Sequence, residues 1–339
     1  MIKIGLKPTM GIAGFSDNPV AQFNAIVTLT HAARDAGFHS IWRGQHYFTP
    51  KRFDWEGIPT IARLIPEAAG MEVGMCILLL PLHHPVLMAE QIAALDVLSG
   101  GKFIFGVGLG YRQREFDGFG VPRRQRVSRF EESLSLIKRL WTEEHVTFEG
   151  KHFKVKDLTT ANRPLQKPAP PIWIAAHADR AVERAARLGD SLIMNPHASI
   201  QTLERQLQVY RATLAKNSKP LPQEISIRKD IYIAENRATA WEEAANDIPK
   251  RVQGLVREQQ DKELPDSDGF RDQGLEDFIK TRFIVGDPDD CAEQLEIYRR
   301  KLGVNHFIFR VASGKSTVED TVKRIELIGR KVLAQVNRN

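Results

Sequence analysis

Residues 72–98 read EVGMCILLLPLHHPVLMAEQIAALDVL: an apolar run from Glu72 to Leu80, a proline-bounded connection through His83 and His84, then a helical pattern from Val86 to Leu98. A short continuous apolar run bounded by proline predicts a strand buried on both faces, and the longer segment behind it predicts a crossover helix. The next apolar run, Phe103 to Gly108, follows after only Ser99-Gly100-Gly101-Lys102. A strand, a helix and a second strand so closely joined form a parallel unit.

Working outward, the unit repeats. Strands are expected at 2–7, 40–44, 72–80, 103–108, 172–176, 191–194, 224–234 and 306–311. Helices are expected at 20–36, 57–65, 86–98, 127–141, 178–188, 200–215, 238–246, 288–301 and 317–336, with Gly37, Gly189 and Gly303 supplying left-handed closures. Eight strand–helix units predict an α/β fold of the (β/α)8 TIM-barrel type, because closing the ring removes both sheet edges. An open doubly wound sheet is the competing arrangement. Two inserts interrupt the alternation: residues 146–170, opening with a hairpin around Glu149-Gly150, and residues 251–277, a polar excursion that would cover a pocket or move. No linker divides the chain, so residues 1–339 are read as one barrel domain.

The 48 Lys and Arg residues against 42 Asp and Glu leave a net charge of +6. They are dispersed and interleaved, as between Arg126 and Arg139, which reads as solvated helix faces rather than a nucleic-acid surface. An anionic ligand would still be attracted. Two cysteines exclude a disulfide framework, and the N-terminus lacks the apolar segment of a signal peptide, so a cytoplasmic protein is expected. The longest apolar run, Met75 to Leu82, is too short to span a bilayer.

In a barrel, chemistry sits on the loops after the strands. His46 follows the second strand and would titrate near neutrality as acid, base or donor, unless it is a loop histidine bonded to backbone. His83 and His84 adjoin on an extended chain and point apart, with no acidic residue at ligand spacing, so no metal site is expected. Gly106, Gly108 and Gly110 admit close approach of a ligand, although no helix follows as a dinucleotide fingerprint requires. Ala176-His177-Ala178 precede a helix whose first N–H groups would bind a phosphate; Asp179 capping that helix is the alternative.

Taken in register, four blocks resemble the luciferase-like family of flavin-dependent oxidoreductases. They are Ala36-Gly37-Phe38-His39-Ser40-Ile41-Trp42 with Gln45-His46-Tyr47-Phe48; Gly74 through His84-Pro85-Val86 with Ala89-Glu90; Gly101 through Gly108 with Glu115-Phe116 and Phe119-Gly120; and Pro168-Ala169-Pro170-Pro171-Ile172-Trp173-Ile174. The resemblance implies a barrel that binds reduced FMN or the deazaflavin F420 at the strand C-termini. It implies His46 as the residue supporting oxygen chemistry, as a base or by stabilising a flavin hydroperoxide, and a non-prolyl cis peptide at Cys76 and Ile77 against the ring. Gly108 and Tyr111 would line the ring pocket, and Ala176, His177 and Ala178 would form the phosphate turn.

The chain also departs from the pattern. Gln45 stands where an acidic residue often precedes the histidine, which argues against a carboxylate tuning His46. Gly108 and Leu109 replace a cysteine and a phosphate-binding arginine, and Ala176 and His177 replace an acidic residue and a serine, so light emission is unsupported. Phosphate binding would then fall to backbone donors, His177 or Arg126. The expectation is a two-component monooxygenase taking reduced FMN from a separate NAD(P)H-dependent flavin reductase and oxygenating a small organic substrate with O2. An F420-dependent hydride-transferring enzyme and a non-catalytic flavin-binding protein are the alternatives. The family implies a homodimer.

Overall fold

Eight parallel strands close into a ring in the computed structural model of the chain, which describes residues 1–8, 18–49, 55–270, 273–311 and 316–338. The ring strands are β1 (Lys3–Leu6), β2 (Ser40–Arg43), β3 (Glu72–Met75) continued by β4 (Leu78–Leu79), β5 (Phe103–Gly108), β8 (Ile172–Ala175), β9 (Ser191–Met194), β10 (Ser226–Ile233) and β12 (His306–Arg310). Pairing runs β12-β1-β2-β3-β5-β8-β9, and contacts of β10 with both β9 and β12 complete the circle. The open sheet is thereby excluded. Outside the ring, β6 (Val146–Glu149) and β7 (Lys154–Leu158) form the expected hairpin, and β11 (Ile284–Gly286) pairs with the far end of β10.

Helices α1 (Pro19–Asp35), α2 (Gly57–Ala68), α3 (Pro85–Leu98), α4 (Gln113–Gly118), α5 (Arg126–Thr142), α6 (Asp179–Leu188) and α7 (Ile200–Lys216) follow in turn. Beyond them come α8 (Arg237–Arg257), α9 (Leu275–Arg282), α10 (Pro288–Leu302), α11 (Val318–Leu327) and α12 (Ala334–Val336). No helix among the described residues is long and apolar enough to cross a membrane. Three expectations need correction. Helix α8 passes the expected stop at Asn246 and carries Pro249, since Ala240, Ala244 and Ile248 bury one stripe against the β11 layer and outweigh the single lost backbone bond. The second insert therefore opens as helix, over residues 251–257. Gly189 is not left-handed (φ −93°); a Cβ there would meet Ala185 O at 3.0 Å and Ile174 at 3.1 Å, so close packing selects it, whereas Gly37 and Gly303 do take positive φ.

Strand register fixes which side chains enter the lumen, because residues paired across neighbouring strands share a face. Trp42, Ile104, Trp173, Ile193 and Ile308 fill the middle layer. Trp42 and Trp173 meet at a 5.4 Å ring separation, and Gly5 and Gly74 make room: a Cβ on Gly74 would lie 2.4 Å from the Trp42 ring. Beneath them the Trp42 indole N–H donates to Ser40 Oγ, which contacts His306 Nε2 at 2.7 Å. His306 Nδ1 lies 2.8 Å from Glu224, and Lys3 Nζ donates to both Glu224 and Glu72. This bottom layer carries ligand-like spacing in Glu72, Glu224 and His306, but the Lys3 ammonium already supplies its cation.

Burial opposes ionisation of Glu224, yet its bonds to His306 and Lys3 prevail and hold it at about 2, below the ordinary 4.5. A lowered carboxyl stabilises the fold fully above the unfolded value, and the contribution disappears as pH falls from about 4.5 toward about 2. Glu224→Gln should therefore cost on the order of 1–3 kcal/mol at pH 7 after allowance for partial exposure. Denaturant titrations should show the gap from wild type narrowing at pH 3; an equal gap at both pH values would contradict this account.

Candidate functional site

Above the tryptophan layer the lumen opens, at the strand C-termini, into a cleft of about 300 Å³. Its floor comes from small residues at four successive strand ends: Gly44, Cys76, Gly108 and Ala175. There is no room for more. A Cβ on Gly108 would lie 2.2 Å from Ile77 Cδ1, and one on Gly44 would lie 2.9 Å from the Cys76 carbonyl. The Cys76–Ile77 bond is cis and separates β3 from β4. Around it, Cys76 N–H donates to Arg43 O at 2.6 Å and Gln45 N–H to Ile77 O at 3.1 Å.

His46 rises from the loop after β2 and lines the cleft, its side chain 31% exposed. Its Nδ1 lies 3.0 Å from Glu115 Oε1, a fully buried carboxylate that also accepts the Tyr47 N–H at 3.0 Å. The expectation that no carboxylate tunes His46 is thus overturned. Gln45 is elsewhere engaged: its Oε1 accepts Leu79 N–H and contacts His83 Nε2, and its Nε2 donates to Glu56. The carboxylate arrives instead from α4 across the rim, with Arg112 Nη1 3.7 Å from it.

Burial pushes the His46 pKa below the usual 6.5, the Glu115 bond raises it in part, and the Arg112 charge lowers it again. The net direction is down, so the ring is neutral at pH 7. With Nδ1–H given to Glu115, Nε2 is the proton-accepting atom.

One wall is Tyr111, edge-on to His46 at 5.9 Å, whose hydroxyl accepts from Gln260 Nε2 at 2.5 Å. Glu258, at the end of α8, meets Arg112 at 3.2 Å and Arg114 at 2.9 Å. The second insert therefore covers this edge of the cleft. Farther along, it is fastened by Asp268 to Arg282 at 2.8 Å, both almost wholly buried, and by Asp268 to Ser199. In the loop after β2, residues 50–54 lie outside the described residues, as do 271–272 of the insert.

The opposite end of the cleft is the start of α6, with His177, Ala178, Arg180, Ala181, Arg184 and Arg126 around it. Asp179 does not cap this helix; Arg205 holds its carboxylate at 2.6 and 2.8 Å. The first turn has no side-chain cap, and its N–H groups and dipole favour an anion there. Arg126 Nη1 donates to Gly110 O at 2.8 Å, which ties it to the rim.

Of the residues expected at the site, His46, Cys76, Ile77, Gly108, Tyr111, Arg126, His177 and Ala178 line this one cleft. Ala176 does not. The pleat that turns Ala175 to the lumen turns Ala176 into the outer core, where it is 2% exposed and its N–H bonds to Ile193 O. His83 and His84 part as expected, His83 toward Gln45 and Tyr47, His84 onto the first turn of α3. Sequence reasoning overlooked Lys7, Arg180 and Arg184, which line the cleft, and gave Glu115 no role. Alternation along β1 would have turned Lys7 inward with Lys3 and Gly5, and helical spacing joins Arg180 to Arg184.

Residues 4–306 match the family described as luciferase-like monooxygenase. The chain belongs to that family. It is 22% identical over 311 residues to the oxygenase component of the flavin-dependent trigonelline monooxygenase of Acinetobacter baylyi, covering 87% of this chain and 84% of that one. It is 24% identical over 328 residues to the F420-dependent glucose-6-phosphate dehydrogenase of Amycolatopsis mediterranei, covering 91% and 92%. The crystal structure of the monooxygenase RslO1 from Streptomyces bottropensis superposes with a TM-score of 0.85 at 21% identity, over 98% of this chain and 99% of that one. These luciferase-like relatives are oxidoreductases that differ in cofactor, so the family fixes the fold and leaves the chemistry to the site.

If Nε2 of neutral His46 takes up a proton in turnover, the acid limb of the pH–rate profile lies below 6.5. Glu115→Gln removes the interactions that raise the His46 pKa, so that limb should move to still lower pH, with a fall in rate of about tenfold or more from lost orientation. A limb shifted upward in the variant would show that Glu115 does not act on His46.

Proposed function

We propose that the chain is the oxygenase of a two-component flavin monooxygenase, binding reduced FMN from a separate NAD(P)H-dependent reductase and using O2 to oxygenate a small organic substrate. The observation that carries this reading is the small-residue floor of Gly44, Cys76, Gly108 and Ala175, set between neutral His46 and the uncapped start of α6. Such a floor accepts a flat ring, and the arginine-lined helix start accepts a phosphate. The residues present fit FMN: the Cys76–Ile77 segment and Gly108 would hold the ring, and His177, Ala178 and Arg126 the phosphate.

When bound, the flavin supplies the electrons for dioxygen activation. The protein's own part is positional and protonic. Glu115 fixes the His46 tautomer, Nε2 accepts or holds a proton, and Tyr111 under Gln260 shields that side from water. The relative described as an oxygenase component supports the separate reductase. Exposed Leu87, Val97 and Leu98 on α3 support a homodimer across that helix.

Anaerobic titration with reduced FMN and with F420, followed by admission of O2, tests the proposal. Saturable binding of reduced FMN and oxygen consumption are expected; tight F420 binding without oxygen consumption would replace the reading with hydride transfer on the same floor. His46→Ala should lower turnover by about a hundredfold or more while flavin affinity stays within a few-fold. Arg126→Ala should weaken FMN by about tenfold and leave riboflavin, which lacks the phosphate, unchanged. Equal losses for both flavins would remove Arg126 from the phosphate site.

A further inference from the structure

The side of the barrel mouth built by β10 and β12 differs from the small-residue floor. In β10 the lumen-facing positions are Ser226, Arg228 and Asp230; in β12 they are His306, Ile308 and Arg310, with Arg228 paired to Ile308 and Asp230 to Arg310. Ile308 belongs to the tryptophan layer and Arg228 pairs with it, so Arg228 starts at that layer, while Asp230 and Arg310 stand one lumen-facing position nearer the strand C-termini, beside the cleft rather than among its lining residues. The Cys76 thiol on the cleft floor lies within the field of Arg228 and of Lys7. From α8, Arg251 reaches down to the same place and bonds to Asp230.

The charges do not balance. Asp230, almost fully buried, takes Arg228 Nη2 on one oxygen at 2.6 Å and Arg251 on the other. Among the described residues Arg310 has no carboxylate within ion-pair distance, and its Nη1 is buried without a hydrogen-bond partner, as are Arg228 Nε and Arg251 Nε. Asp247 accepts the Tyr232 hydroxyl; counting it, three guanidiniums face two carboxylates among the described residues. Burial and the Arg251 charge push the Arg310 pKa down to about 10, the direction expected of a cation lacking a counter-ion. A buried guanidinium with an unmet donor is costly unless an anion completes it. The α6 phosphate end lies three strands away round the ring, and so offers no such anion.

We propose that this basic side of the mouth is an anion subsite in which Arg310, flanked by Arg228 and Arg251, anchors a carboxylate or phosphate carried by the small organic substrate. The assignment of that anion to a substrate rests on the oxygenase reading; the subsite itself does not. The charged group is held on β10 and β12 while the remainder of the molecule extends over the floor toward His46. A neutral analogue leaves the guanidinium unmet, so the site selects against it.

Benzoate, phenyl phosphate and neutral benzyl alcohol are the probes, titrated calorimetrically into flavin-free protein and into protein saturated with FMN. Wild type should prefer one of the two anions over benzyl alcohol by at least about tenfold, and which anion wins identifies the class. Arg310→Met should abolish the preference without weakening FMN, and Arg310→Lys should keep part of it. Because Arg310 is repelled by Arg251, Arg310→Met should melt no lower than wild type; if it does not fold, Arg228→Met is read in its place. No anion preference in wild type, a preference surviving Arg310→Met, or FMN affinity falling together with the preference would each overturn the subsite. Loss of FMN binding in wild type, with the anion preference intact in flavin-free protein, would defeat the oxygenase reading alone.

Discussion

A closed parallel ring has to fill its own lumen, and in this chain two indoles do so. Trp42 and Trp173 occupy the waist, with Ile104, Ile193 and Ile308 packed beside them. Glycines at 5 and 74 yield the space, and the indole N–H of Trp42 is satisfied through Ser40 and His306. Everything polar in the lumen is thereby sorted to one end or the other. Below the waist the polar groups engage one another: Lys3 donates to Glu72 and Glu224, and His306 is bonded on both nitrogens. Above it, the strand ends carry either a small residue or a charge.

That asymmetry separates stability from chemistry along a single axis. The lower network links β1, β3 and β12 with the segment leading into β10. The upper rim spends four strand ends on glycine, cysteine and alanine, residues that contribute little packing energy but leave a flat space. Polar atoms without partners collect around this rim, including Glu115 Oε2 and Arg310 Nη1. Preorganised polar groups held in a partly dry cleft are what a reaction site requires and what a core avoids.

The ring was legible because period and punctuation agreed: apolar runs of strand length, helical stripes between them, and glycines at two true left-handed closures. The barrel reading by itself put residues 46, 108 and 177 at strand ends, whereas Cys76 and Ile77 were legible only through resemblance, since no spacing rule singles them out. What escaped was carried by short or interrupted pieces. Helix α4 is six residues long, too brief for a periodic signal, yet it delivers Glu115. Strand β11 has three residues. Helix α8 was expected to stop at Asn246, whereas burial of Ala240, Ala244 and Ile248 carries it through Pro249 to Arg257. Ala176 was misplaced by one residue of pleat, which is enough to turn a side chain from cleft to core.

The carboxylate beneath His46 comes from the stretch that also carries Tyr111 and Arg112, not from the residue before the histidine. One loop accordingly shapes the wall of the cleft and sets how strongly the imidazole holds its proton. Selection for a new molecular outline through residues 109–115 would retune basicity at the same stroke. Diversification of this scaffold by that route is constrained to paired changes.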